Sequence, residues 1–93
     1  MFELEDEIED ECVAIAEADG WLVRKMAYVG RRGCRDRDFY KDGVLLMVEF
    51  KAPGEKPRKD QAKEHKALKA NGFVVHVIDN VDDFRRLLRV AHI

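Results

Sequence analysis

The chain has 93 residues, 46% hydrophobic and 39% charged, a globular composition that excludes disorder, and no run approaches the ~20 apolar residues of a membrane span. Its net charge of −2 hides an asymmetry: residues 1–20 carry nine acids and no Lys or Arg, whereas residues 21–93 carry seventeen bases against ten acids. That split is compatible with a polyanionic partner held away from the N-terminal segment, and equally with ordinary surface charge.

Residues 3–18 are predicted to be a helix closed by Gly20, with Ile8, Cys12, Ile15 and Ala16 on one face. Glu5 falls near the centre of that face and Glu9 at its edge. An acid in an apolar stripe needs a partner, such as a metal or a buried base, unless it sits at a solvated helix end. Residues 21–28 read as a strand, and Gly30-Arg31-Arg32-Gly33 as a basic loop. Residues 36–41 and 44–51 read as a hairpin joined by Asp42-Gly43, a strong two-residue turn signal. Ala52-Pro53-Gly54 ends it, and a helix over 57–70 follows, with proline at its start and Asn71-Gly72 at its close. Residues 73–78 form a short strand, and Asp79 or Asn80 caps a last helix on which Val81, Phe84, Leu88 and Ala91 share a face. The order αβββαβα predicts one α/β domain over residues 1–93. Cys12 and Cys34 lack CxxC spacing and read as reduced thiols. With no basic, apolar leader in view, a cytoplasmic setting is expected.

The hairpin carries the chemistry. If Asp42-Gly43 closes it, Lys41 pairs with Val44, and counting outward sets Asp36 opposite Glu49, with Cβ atoms roughly 4.5–5.5 Å apart. Alternation puts Lys51 on the same face. Two carboxylates and an ammonium then converge, a geometry suited to a divalent cation and an activated water. Taken alone, the three residues equally describe a cross-strand salt bridge at a sheet end.

The segments Gly33-Cys34-Arg35-Asp36-Arg37 and Val48-Glu49-Phe50-Lys51-Ala52-Pro53-Gly54, followed by Gln61, resemble the PD-(D/E)xK nuclease pattern. More narrowly, the chain resembles the virus-type replication-repair nuclease (VRR-NUC) family over nearly its whole length. Arg35 departs from that pattern, since the family has proline before the aspartate. The resemblance implies a restriction-endonuclease-like core, a mixed central sheet flanked by helices. It implies that Asp36, Glu49 and the main-chain carbonyl of Phe50 hold Mg²⁺ or Mn²⁺. It implies that Lys51 serves the attacking water, that Gln61 positions the lysine or the substrate, and that Glu5, with Glu9 in reserve, joins from the first helix. It also implies a homodimer that cuts branched DNA such as Holliday junctions. A non-catalytic nucleic-acid-binding module on the same fold is the alternative, though pure binding has no need of this residue set. A protein that captures partners through its acidic first helix is a third.

Arg31, Arg32, Arg35 and Arg37 flank the site on one side, and Lys56, Arg58 and Lys59 on the other, at a helix start. They are candidates for sequence-neutral contacts to the DNA backbone. Asp38 is expected to pair with a surface base. His65, on the same helical face as Gln61 and Leu68, reads as a core-edge histidine, and His76 and His92 lack metal-site spacing.

Overall fold

The computed structural model describes residues 4–91. Its elements are α1 (Glu5–Ala18), β1 (Leu22–Lys25), β2 (Arg37–Lys41), β3 (Val44–Phe50), α2 (Lys59–Ala70), β4 (Val75–Ile78) and α3 (Val81–Val90). This is the expected αβββαβα order. The sheet runs β1-β2-β3-β4; the first three strands are antiparallel, and β4 joins β3 in parallel through the α2 crossover. A parallel neighbour cannot be reached by a tight turn, so the helix is the connection that makes the sheet mixed.

The hairpin has the register that its turn dictates. Asp42 and Gly43 both adopt positive φ, 50° and 80°, as a two-residue turn matched to strand twist requires. Lys41 pairs with Val44, and the ladder runs back to Arg37 opposite Val48. Leu46, Val48 and Phe50 face α1 and α3; Met47 and Glu49 face the other way, Glu49 toward α2. The core centres on Phe39, Phe50 and Phe84, all fully buried, with ring centroids 5.1–6.4 Å apart. Burying each ring stabilises the fold by roughly 2–3 kcal/mol, and together they clamp α3 onto the hairpin. Ile8, Cys12 and Ala16 bring in α1 along the predicted stripe.

Several boundaries differ from expectation, β2 opening at Arg37 and β3 closing at Phe50 among them. The first strand stops at Lys25 rather than residue 28, although the Met26 N–H still reaches the Asp36 carbonyl. Beyond it the chain leaves the sheet and crosses to α2, where the Tyr28 hydroxyl donates to Glu64 (2.7 Å). α2 starts at Lys59, because Gln61 Oε1 accepts from the N–H of Arg58 and caps the helix there, leaving Pro57 outside. It ends as expected, with the Phe73 N–H reaching back to Leu68 and that of Gly72 to Lys69. β4 is confined to residues 75–78, and Asn80, not Asp79, caps α3 by accepting from the Asp83 N–H (2.8 Å). Asp79 instead accepts from the Gly54 N–H (2.9 Å), tying the turn after β3 to the end of β4. Neither Cys12 nor Cys34 is in a disulfide among the described residues. Among the described residues, no helix is long and apolar enough to cross a membrane.

Candidate active site

Glu49, the penultimate residue of β3, has no exposed surface. Lys51 Nζ stands 3.4 Å from its Oε2, and His65 Nε2, from α2, stands 3.7 Å from its Oε1. Neither carboxylate oxygen has a hydrogen-bond partner among the described residues. Burial, and after it the neighbouring charge of Asp36, push the Glu49 carboxyl up to about 7, against a smaller downward pull from Lys51. A fully buried carboxylate with an ammonium 3.4 Å from one oxygen and no hydrogen bond to the other is a donor set for a cation, because burying it otherwise costs several kcal/mol.

Asp36 reaches the site by a different contact from the one that counting predicts. Pairing stops at Arg37; the Asp36 N–H donates to the carbonyl of Val48, not Glu49 (3.0 Å). Its Oδ2 accepts the N–H of Phe50 (2.7 Å). The chain turns toward β1 and α2 here, and the side chain takes over from the main-chain ladder. The result still sets Asp36 beside Glu49, with one oxygen oriented by Phe50. Lys51 is held from below, its N–H donating to the Ile78 carbonyl (2.9 Å). Glu5, in the first turn of α1, feels the charges of Lys51 and Asp36, and burial raises its carboxyl above the usual range. Glu9 is committed elsewhere, accepting from Arg37 Nε (2.6 Å). Gln61 is buried, on the same face of α2 as His65. The sequence reads His65 as a packed or hydrogen-bonded core-edge histidine rather than a ligand, and its helical phase with Gln61 is the one signal that sets it near the site.

The acids and Gln61 suit a magnesium-type ion, which takes one or two protein carboxylates and completes its shell with water and substrate oxygens. Asp36, Glu49 and the Phe50 carbonyl are the residues that would hold it. Among the described residues no group of three or more His, Cys, Asp or Glu is placed to hold a metal ion together.

The flanking bases divide into two groups. Arg35 is buried and makes a two-pronged pair with Asp38 (Nε–Oδ1 2.8 Å, Nη2–Oδ2 2.7 Å), so the base that Asp38 meets is an interior one. Arg35 Nη1 also donates to Tyr28, and the Tyr40 hydroxyl donates to Asp38 Oδ2, knitting the loop to the sheet. Arg37 is half-buried against Glu9. These two arginines tie the segment that carries Asp36 to the sheet and to α1, and Arg35 is too buried to meet a phosphate. Arg31 and Arg32 are exposed and pair with Glu64 and Asp60 of α2, and exposed Arg58 also pairs with Asp60. Lys56 and Lys59 are exposed and form no ion pair among the described residues. Gly33 fits this loop against α2: its φ is +90°, and a Cβ there would lie 2.6 Å from the Asp60 carbonyl oxygen.

The chain is 42% identical over 79 residues to a protein named "Putative nuclease p44" of Acyrthosiphon pisum secondary endosymbiont phage 1, covering 84% of this chain and 85% of that protein. A solved structure described as "VRR_NUC domain" superposes with a TM-score of 0.83 at 31% identity, covering 91% of this chain and 94% of that one. No protein-family model matches.

Proposed function

We infer the activity from one premise: the chain belongs to the VRR-NUC family. It is a nuclease that hydrolyses phosphodiester bonds of DNA with Mg²⁺ or Mn²⁺, acts on branched structures such as Holliday junctions, and works as a homodimer. The observation that carries this reading is the buried Glu49 carboxylate, its two oxygens unbonded, beside Asp36 and Lys51.

The cation, when bound, lowers the pKa of a coordinated water and neutralises charge on the phosphoryl oxygens. The protein's own residues do the rest. Asp36, oriented by the Phe50 N–H, and Glu49 supply the negative charge that selects a divalent ion. Lys51, 7% exposed at its side chain, brings a positive charge to the spot where the pentavalent phosphorus gathers negative charge, and it is placed to orient the attacking water. Gln61 is buried on α2 beside His65 and is assigned to positioning Lys51 or the substrate, and Glu5, which feels the charges of Lys51 and Asp36, joins from α1. Lys56 and Lys59 meet the phosphate backbone near the start of α2, where main-chain N–H groups add to the attraction. Arg31, Arg32 and Arg58 hold exposed pairs with α2 acids that a phosphate can displace at small cost. A two-fold dimer gives the paired sites that symmetric junction cutting needs.

The test is cleavage of end-labelled four-way junction, flap and linear duplex DNA with Mg²⁺ or Mn²⁺, with Glu49→Ala as control. Paired symmetric nicks in the junction, lost in the variant, support the whole reading. Cutting of flap or linear DNA alone keeps the chemistry and removes the junction preference. Binding without any cleavage leaves a nucleic-acid-binding module.

A further inference from the structure

His65 stands outside the roles assigned above, yet it meets Glu49 on the side that Lys51 does not. Its Nε2 lies 3.7 Å from Oε1, while Lys51 Nζ addresses Oε2 at 3.4 Å. His65 Nε2 and both Glu49 oxygens are buried atoms with no hydrogen-bond partner among the described residues. A histidine present only for packing would leave its nitrogens in solvent or bonded to the nearest main chain, because buried polar groups are almost always satisfied. Here a ring nitrogen and a carboxylate oxygen, neither with a hydrogen bond, face each other at 3.7 Å, a gap that a small side-chain rotation closes to hydrogen-bond length.

We propose that His65 is a positioning residue: its Nε2–H donates to Glu49 Oε1 when the site is loaded, fixing the carboxylate so that its other oxygen serves the cation. The proposal rests on the metal-dependent reading above. A carboxylate using one oxygen for a metal needs a donor for the other, or it swings between binding and non-binding orientations. Lys51 addresses the other oxygen, Oε2, at 3.4 Å. Gln61 does not take the place either: its Oε1 accepts from the Arg58 N–H, and its amide N–H₂ makes no hydrogen bond to Glu49. The neutral imidazole with its proton on Nε2 does the task and adds no charge to compete with the ion.

The experiment is calorimetric Mn²⁺ binding to the wild type, His65→Gln and His65→Ala, with melting curves of each in EDTA. Glutamine can present an N–H close to the position of Nε2; alanine cannot. Mn²⁺ affinity in His65→Ala is expected to fall about 10- to 100-fold, with His65→Gln within about threefold of the wild type. Equal affinity in wild type and His65→Ala overturns the proposal, as does equal loss in both variants, which would mark a packing role. A wild type that binds no Mn²⁺ overturns the metal-dependent reading itself, and this proposal with it. A second readout needs no variant: ¹⁵N NMR of the Mg²⁺-loaded protein should show His65 protonated at Nε2. Protonation at Nδ1 alone would refute the donor role.

Discussion

Glu49→Gln should make the metal-free protein more stable at neutral and alkaline pH, although it removes the central acid of the site. The Glu49 carboxyl rises from 4.5 in the unfolded chain to about 7 in the fold, through burial and then through Asp36. Between those values the folded state holds a proton that the unfolded state has lost. The stabilisation is therefore fully present below 4.5 and disappears as pH rises through 7. At about 1.4 kcal/mol per pH unit between 4.5 and about 7, the loss by pH 8 amounts to about 3–3.5 kcal/mol, on the order of 15 °C in a domain of this size. Glutamine carries no charge and escapes that penalty. His65 and His76 act in the opposite sense: burial lowers both, so their contribution is present above 6.5 and fades as pH falls through their folded values. His76 is common to wild type and variant; His65 stands 3.7 Å from Glu49, so the same pair of curves in a His65→Gln background separates its share from that of Glu49. The assay is thermal or urea unfolding from pH 5 to 8 in EDTA, repeated with Mg²⁺. In EDTA the wild type should fall progressively below Glu49→Gln as pH rises; with Mg²⁺ only the wild type should recover, because a cation that binds the folded state stabilises it by mass action. Parallel curves for the two proteins across pH 5–8 would refute the argument that this carboxylate is buried at a cost relieved by a cation.

Lys51→Ala should bind DNA with unchanged affinity in Ca²⁺ while its Mg²⁺-dependent cleavage falls about 10²–10³-fold, measured in single turnover; full turnover would make Lys51 structural. Gly33→Ala should lose about 2–3 kcal/mol in urea unfolding, since its φ of +90° and a Cβ 2.6 Å from the Asp60 carbonyl leave no room for a side chain. Wild-type stability in that variant would show that the loop does not pack on α2 as described. Arg35→Ala leaves Asp38, 1% exposed, without its cation, and should cost about 3–5 kcal/mol in the same assay. Removing both charges with Arg35→Met and Asp38→Leu should restore most of it, and a double variant no better than the single would place the cost elsewhere.

What could be read from the sequence follows the range of the forces involved. The hairpin register was legible because it depends on two adjacent residues: once Asp42 and Gly43 take positive φ, the pairing of Lys41 with Val44 sets every pair back to Arg37. Helix ends were legible for the same reason, because a glycine or asparagine acts on its own turn. The conversion at Asp36 was not. It arises where the strand gives up its ladder so that the following loop can reach α2, and it is visible only once Phe50 offers its N–H to the side chain.

Charge partners were the least legible of all. Four arginines around Asp36 look interchangeable as a string, yet Arg35 lies inside with Asp38, Arg37 is drawn to Glu9 of α1, and only Arg31 and Arg32 keep exposed guanidinium groups. The choice depends on which acids the fold brings within reach from 28 to 33 residues away in the case of Glu9, Asp60 and Glu64. The same distance problem hid His65, sixteen residues from Glu49 and silent as a motif. Helical phase places it on the side of Gln61, but phase alone cannot separate a packing ring from a donor. That distinction comes from the unsatisfied atoms, and unsatisfied atoms exist only in three dimensions. Among the described residues the buried side-chain atoms without a hydrogen bond are those of Glu49, the Nε2 of His65 and one oxygen of Asp60; Asp60 has Arg32 and Arg58 at the surface, whereas Glu49 and His65 face each other in the interior, and that is where the chemistry is read.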